Sequence, residues 1–141
     1  MSDLYEDDIL LWSERQSELL RRLAAGERAN DQIDWDNVIE EVESVGHEQL
    51  HAVESLLVQA LLHDLKAQAW PQSQDAPHWR AEARRFRGDA TSRFAPSMRQ
   101  KIDVAGIYRR ALRAMPEAIE GLPPLPIKSE MPTLDALLAE D

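Results

Sequence analysis

The sequence predicts an all-α protein: a four-helix, bundle-like domain around a long central helix, followed by a proline-rich C-terminal arm with a short terminal helix. Four segments repeat apolar residues at steps of three and four, the spacing of one helix face. We find no convincing alternation of apolar and polar residues of the kind that predicts a half-buried strand. The 141 residues suit a single domain, which we divide into a bundle over residues 1–121 and an arm over residues 122–141.

The central helix is predicted over residues 35–69, because this stretch contains no proline. Asp34 precedes it as an N-cap residue, and Trp70-Pro71 ends it, since a residue before proline disfavours helix. Its first half carries one apolar arc. Residues 56–62 are instead apolar almost all round, as in a helix that other helices or a second subunit surround. We therefore place the core on this helix.

Three further helices complete the predicted bundle. The first spans residues 5–25, the third residues 78–94 and the fourth residues 97–119, where Pro116 predicts a kink or an earlier end. Thr133 can then cap a short helical turn that carries three leucines. These leucines suggest docking on the bundle or on a partner. They are Leu134, Leu137 and Leu138.

The composition excludes several classes of protein. The chain has no cysteine, so a disulfide framework, a thiolate zinc site and a cysteine nucleophile are all impossible. Its N-terminus is acidic where a secretory signal is basic, and no apolar run approaches the ~20 residues that span a bilayer. We expect a cytoplasmic protein that is not embedded in a membrane.

The net charge of −10 is unevenly distributed along the chain. Residues 1–78 carry 5 basic and 17 acidic side chains, residues 79–113 carry 10 and 3, and residues 114–141 carry 1 and 6. The basic block predicts either a nucleic-acid footprint or a face turned toward the protein's own acidic helices. We favour the second, because the field of the whole chain repels a polyanion. The arginines of the nucleic-acid alternative are Arg80, Arg84, Arg87, Arg109, Arg110 and Arg113.

A cluster of carboxylates and histidines on the first half of the central helix is the candidate metal site. Its members recur at three- and four-residue steps and so project on one side of the helix. Two histidines at i and i+4 with flanking carboxylates can hold zinc or iron. A di-iron bundle needs a second Glu-x-x-His step, which no other helix offers, so we favour a solvated acidic face over the metal. The candidate ligands are Glu43, His47, His51 and Glu54.

His63 lies at the edge of the apolar arc, near Asp64 and Lys66 in the sequence. A histidine in this position is more often a core residue with a satisfied hydrogen bond than a site residue. We favour the core interpretation. The alternative is a site formed by these three residues, but no nucleophile accompanies them.

No pattern in the chain predicts an ordinary enzyme. There is no nucleophile elbow and no Ser-x-x-Lys motif, and the five glycines are scattered singly, so no phosphate-binding loop is predicted. We assign no catalytic residue and no cofactor, apart from the divalent metal of the alternative above.

Residues 34–46 read Asp-Trp-Asp-Asn-Val-Ile-Glu-Glu-Val-Glu-Ser-Val-Gly. They resemble the Asn-Leu-x-Glu-Glu-Ile-Glu-Ser-Leu-Gly signature of the bacterial family called domain of unknown function 29. Residues 132–138 are similar to that family's closing Tyr-Thr-Leu-x-x-Leu-Leu, with Pro132 in place of the usual aromatic residue. The resemblance implies a helical bundle. It brings no established activity and assigns no site residue.

The function predicted from the sequence is a non-catalytic module for protein–protein interaction, which self-associates or binds another bacterial protein. This prediction rests on the all-round apolar half of the central helix and on the leucines of the tail. The alternatives are a metal-binding bundle or metal-dependent enzyme, and nucleic-acid binding through the third and fourth helices.

Overall fold

A computed structural model describes residues 3–127 and 130–139 of the chain. Residues 1–2, 128–129 and 140–141, which the predicted bundle and arm include, lie outside the described residues. The described residues form α-helices and contain no strand, so the all-α class is confirmed. The helices are α1 (Leu4–Asp7), α2 (Ile9–Ala24), α3 (Trp35–Ala69), α4 (Ala76–Arg93), α5 (Val104–Arg113) and α6 (Leu134–Leu138).

The chain divides into two compact units, Met1–His47 and Glu48–Asp141. The division falls inside α3, so residues 35–47 of that helix belong to the N-terminal unit and residues 48–69 to the C-terminal unit. The predicted bounds of the central helix are confirmed, because α3 begins directly after Asp34 and ends directly before Trp70.

The N-terminal unit begins with two helices where the sequence predicts one over residues 5–25. Asp8 interrupts the pattern, because its side chain accepts a hydrogen bond from the Leu11 N–H and so caps the start of α2. Gly26, with a φ of +93°, terminates α2 in the left-handed conformation that glycine adopts without strain. The buried apolar residues of this unit are Trp12, Ala29 and Ile33.

In the C-terminal unit, the second half of α3 forms the centre of the core. The core side chains of α3 are Val53, Leu57, Val58, Leu61 and Leu65. The side chains that cover them come from α4, α5, α6 and the segment before α5, and include Ala90, Met98, Ile102, Ile107, Ala111 and Leu137. The chain itself therefore buries the half of α3 that is apolar all round. Of the two alternatives that the sequence left open, other helices of the same chain account for this packing, and self-association stays a prediction.

The predicted fourth helix, over residues 97–119, is wrong in its start, while its end before Pro116 is one of the two outcomes that this proline predicts. A 3₁₀ turn over Pro96–Met98 precedes an irregular stretch, and α5 begins only after Asp103, whose side chain accepts from the Gly106 N–H at 3.0 Å. The helix ends at Arg113, three residues before Pro116, as the proline allows.

The proline-rich segment after α5 returns to the end of α3. Ile119 and Leu122 exchange two backbone hydrogen bonds across a two-residue turn, in which Glu120 and Gly121 both have positive φ. The Trp70 indole N–H then donates to the Leu122 carbonyl, at 2.9 Å. The Leu125 N–H likewise donates to the Ala69 carbonyl, at 2.9 Å, and this bond satisfies one of the terminal acceptors of α3.

Gly106→Ala is expected to lower the free energy of unfolding by about 1 kcal/mol, the typical cost of losing an N-cap. A Cβ at this position would lie 2.6 Å from the Asp103 carboxylate and displace the cap of α5. The control is Gly88→Ala inside α4, where a Cβ meets no atom within 4 Å. It should raise the stability by up to about 1 kcal/mol through helix propensity. Urea unfolding followed by circular dichroism measures both, and a stabilising Gly106→Ala would contradict the cap.

Candidate functional site

The largest difference between the prediction from sequence and the observed structure concerns the apolar arc on the first half of α3. Four of its side chains, at helical spacing, form a surface that we call the α3 stripe. The exposed fractions are 38% for Trp35, 51% for Ile39, 68% for Val42 and 64% for Val45. The sequence-based assignment of these residues to the core is therefore wrong. Exposed apolar surface is common, but four large side chains in one row on a helix form a patch of the kind that binds partners.

The stripe is exposed because polar groups hold this part of α3 within the N-terminal unit. The Asp34 carboxylate accepts from the Trp12 indole N–H at 3.0 Å and from the Asn37 side-chain amide at 2.8 Å. The Asp34 N–H donates to the Gln16 side-chain oxygen at 2.8 Å. These bonds connect α2 to the start of α3 without using the apolar arc.

A second polar contact lies two turns further along α3. The Tyr5 hydroxyl of α1 donates a hydrogen bond to the Glu41 carboxylate, and the Tyr5 ring packs edge-on against Trp12, with the centroids 4.8 Å apart. Together with Asp34, this contact joins α1, α2 and α3 through hydrogen bonds. The N-terminal unit therefore satisfies its own polar groups and leaves the α3 stripe uncovered.

The electrostatics of both contacts follow from these hydrogen bonds. The hydrogen bond to Glu41 raises the pKa of Tyr5 to about 12, since the donor proton is held by a carboxylate acceptor. The hydrogen bonds from Asn37 and Trp12 lower the pKa of Asp34, because they stabilise its charged form.

The four predicted metal ligands do not form a cluster. Glu43 and His47, in the N-terminal unit, are exposed. In the C-terminal unit, His51 Nδ1 lies 3.6 Å from a Glu54 oxygen, and the other Glu54 oxygen lies 3.5 Å from the Asp103 N–H. Within residues 3–127 and 130–139, no three histidines or carboxylates are grouped so as to hold a metal ion. The metal hypothesis stays a prediction from spacing alone.

His63, Asp64 and Lys66 each have a different partner, so the structure does not bring them together as one site. His63 Nδ1 donates to the Gln59 carbonyl at 2.7 Å, and its half-buried ring lies 5.3 Å from the Phe86 ring. Asp64 pairs with Arg87 of α4. The Lys66 ammonium lies 4.7 Å above the Trp79 ring. All three residues join α3 to α4.

Some residues of the basic block form ion pairs inside the C-terminal unit, and the interpretation that the block faces the acidic helices stays a prediction. Arg85 pairs with Glu82 and Arg99 with Asp135. The hydrogen bond from Arg85 lowers the pKa of Glu82. Arg87 is a correction to the nucleic-acid alternative, because its side chain is only 10% exposed and binds Asp64. The remaining arginines of that alternative are exposed: Arg80, Arg84, Arg109, Arg110 and Arg113.

The leucines of α6 pack on the C-terminal unit rather than facing away from it. Leu137 is buried in the core, with Leu134 and Leu138 packed against the same cluster. The Thr91 hydroxyl donates to the Leu138 carbonyl at 3.1 Å. Leu137 is therefore a core residue, and its assignment to a partner surface is corrected.

One apolar cavity of about 290 Å³ lies where the proline-rich segment meets the end of α3. Its lining includes Trp70, Ile119, Leu122 and Leu125. The indole N–H of Trp70 and the N–H of Leu125 are already bonded to carbonyl groups, so neither is a free donor for a ligand.

The α3 stripe is the functional candidate that sequence reasoning missed, since hydrophobic periodicity alone assigns any apolar arc to the core. A second signal was present in the same residues. Asp34, Asn37 and Glu41 lie roughly 80° to 140° round the helix from Val42, on the side next to Val45, and they are the side chains that bond to α1, α2 or the N-cap. A polar row beside an apolar one leaves open which of the two is packed.

The architecture and this surface define an all-α protein with an exposed apolar helix face. The chain belongs to the family described as Domain of unknown function DUF29, whose model matches residues 4–141 and confirms the resemblance. It is similar to an alpha-helical protein of unknown function from Rhodospirillum rubrum, known from a crystal structure. The two are 27% identical, with a TM-score of 0.61, and the match covers 100% of this chain and 92% of the other.

No curated protein matches the chain. In the part of the chain that the structure describes, no helix has both the length and the apolar character needed to cross a membrane.

Val42→Ala is expected to leave the free energy of unfolding unchanged or slightly raised, because the side chain is exposed and alanine favours helix. Val53 is the matched control on the same helix, with 0% exposure. Val53→Ala should cost at least about 1 kcal/mol through lost burial and a cavity. Chemical denaturation of both variants compares them, and a similar loss at the two positions would show that the α3 stripe is packed.

Alkaline pH is expected to destabilise the N-terminal unit through Tyr5. Folding raises the pKa of Tyr5 from 10.0 to about 12. The contribution of its hydrogen bond to the free energy of unfolding is therefore fully present below pH 10 and is lost as the pH rises toward 12. Tyr108→Phe leaves Tyr5 as the only tyrosine, so its ultraviolet titration should have a midpoint near 12. A midpoint near 10 would contradict the hydrogen bond to Glu41.

Proposed function

We propose that this protein is a non-catalytic module for protein–protein interaction and that it binds its partner through the α3 stripe. The observation that carries the proposal is the exposure of Ile39, Val42 and Val45, each more than half accessible, on one face of a regular helix. Leaving such side chains in water forgoes about 25 cal/mol for each Å² that could be buried. A partner that covers them recovers this free energy.

The chemistry of the stripe suits recognition by a helix or groove of another protein. Apolar side chains at i, i+4 and i+7 are the pattern by which amphipathic helices bind, and Trp35, Ile39 and Val42 have this spacing. Trp35 adds an aromatic residue, the type most enriched among energetically dominant contacts. Its indole N–H is already satisfied by the Asn30 carbonyl at 2.9 Å, so the ring can be covered without losing a hydrogen bond to water.

The internal structure of the N-terminal unit supports the proposal independently. Its buried residues, Trp12, Ala29 and Ile33, lie outside the stripe, and its helices are joined by hydrogen bonds from Asp34 and Tyr5. Folding of this unit therefore has no evident need for Ile39, Val42 or Val45 to be apolar. A binding role explains why they are.

Site-specific photo-crosslinking in the cells of origin tests the proposal. With a benzoylphenylalanine at Val42, irradiation should yield a discrete adduct heavier than the 16.1 kDa chain. Adding Ile39→Asp should remove the adduct by placing a charge in the interface. The matched control is the same probe at Arg28, an exposed residue of the same unit that lies outside the stripe.

The mass of the adduct distinguishes self-association from a different partner, and either result supports the module. The proposal fails if no adduct forms at Val42, or if Arg28 yields the same adducts with equal efficiency.

A further inference from the structure

Three carboxylates border one side of the α3 stripe. On a helix with 100° per residue, Asp36, Glu40 and Glu43 lie roughly 100° to 160° from Val42, all on the same side. All three are exposed, and in the described part of the chain none of them forms a salt bridge with a lysine or arginine. The apolar row therefore has an acidic flank whose charges are not neutralised by the protein itself.

The whole N-terminal unit has the same sign of charge. Residues 1–47 carry 13 acidic and 4 basic side chains. Two of the four arginines are paired with glutamates of this unit, Arg21 with Glu18 and Arg22 with Glu27. A partner that approaches the stripe meets a strongly negative potential, which attracts cations and repels anions.

We infer that the α3 stripe binds a basic amphipathic helix of another protein, an inference that rests on the interaction function proposed above. The apolar face of the partner helix would cover Trp35, Ile39, Val42 and Val45. Lysines or arginines on its flank would face Asp36 and Glu43, the two carboxylates nearest the stripe, while Glu40 adds negative charge further round the helix. Apolar contacts supply affinity in this arrangement, and the charges supply specificity and a fast association rate.

A second copy of this chain is a poorer occupant on grounds of charge. Stripe-to-stripe pairing would bring two units together that each carry an excess of nine negative charges over residues 1–47. Like charges placed against each other at an interface oppose association. The stripe also extends over only eleven residues, about 15 Å of helix, which suits one helix of a partner more than the roughly 800 Å² per partner of a standard stable interface.

Three synthetic 18-residue helical peptides test the inference, with binding to the full chain measured by fluorescence anisotropy. The first has leucines on one face and lysines on the flanks. The second replaces the lysines by glutamates, and the third keeps the lysines but replaces the leucines by alanines. We expect the first peptide to bind at least tenfold more tightly than either of the others, with an affinity that falls as salt rises.

Two variants of the protein assign the binding to the proposed surface. Asp36→Asn, Glu40→Gln and Glu43→Gln combined should remove most of the preference for lysine over glutamate flanks. Ile39→Ser combined with Val42→Ser should weaken the binding of the first peptide at least tenfold, while the exposed control Arg28→Ser should leave its affinity unchanged. Circular dichroism of each variant checks that the helices are retained.

Equal binding of the first and third peptides would overturn the inference, because the attraction would then be purely electrostatic. Equal binding of the first and second would overturn the basic character of the partner while leaving the interaction function intact. If no peptide binds but crosslinks form at Val42, the inference is wrong and the proposed function stands. If both are absent, both are wrong.

Discussion

The C-terminal half of α3 must be surrounded, and most of the C-terminal unit follows from this constraint. Val53, Leu57 and Leu61 lie on a stretch of helix with almost no polar side to turn toward water. The chain meets this requirement with α4, α5 and α6, together with the irregular segment between α4 and α5. The polar groups nearest this core are paired rather than excluded, as the bond between Asp64 and Arg87 illustrates.

The N-terminal half of the same helix is held by a different kind of interaction. Asp34 and Glu41 accept hydrogen bonds from Trp12 and Tyr5, and these directional contacts position α1 and α2 with little apolar burial. Hydrogen bonds to a charged carboxylate are stronger than neutral ones. When they are partly shielded from water, such bonds can hold two helices together. The consequence is an apolar row that is not required for packing.

The sequence predicted the long helix α3 and the short helix α6 with its Thr133 cap, but it missed two other helix starts. Both ends of α3 were predicted, because an N-cap aspartate and a proline act locally on the backbone. The break before α2 and the late start of α5 were missed. In both cases an aspartate, Asp8 or Asp103, caps a new helix inside a pattern whose apolar spacing continues without a gap. Periodicity does not register such a cap.

For the candidate sites too, the sequence determined some features and the tertiary structure determined others. The sequence identified which residues carry charge, which side chains lie on one face of α3 and which motif places the chain in its family, because these are properties of residue type and spacing. Spacing does not say what covers a face. Only the tertiary structure decided that Leu137 is in the core, that Arg87 is engaged with Asp64, and that Val42 is exposed while Val53 is buried. Burial depends on residues distant in the sequence, and two valines on one helix differ only in what packs against them.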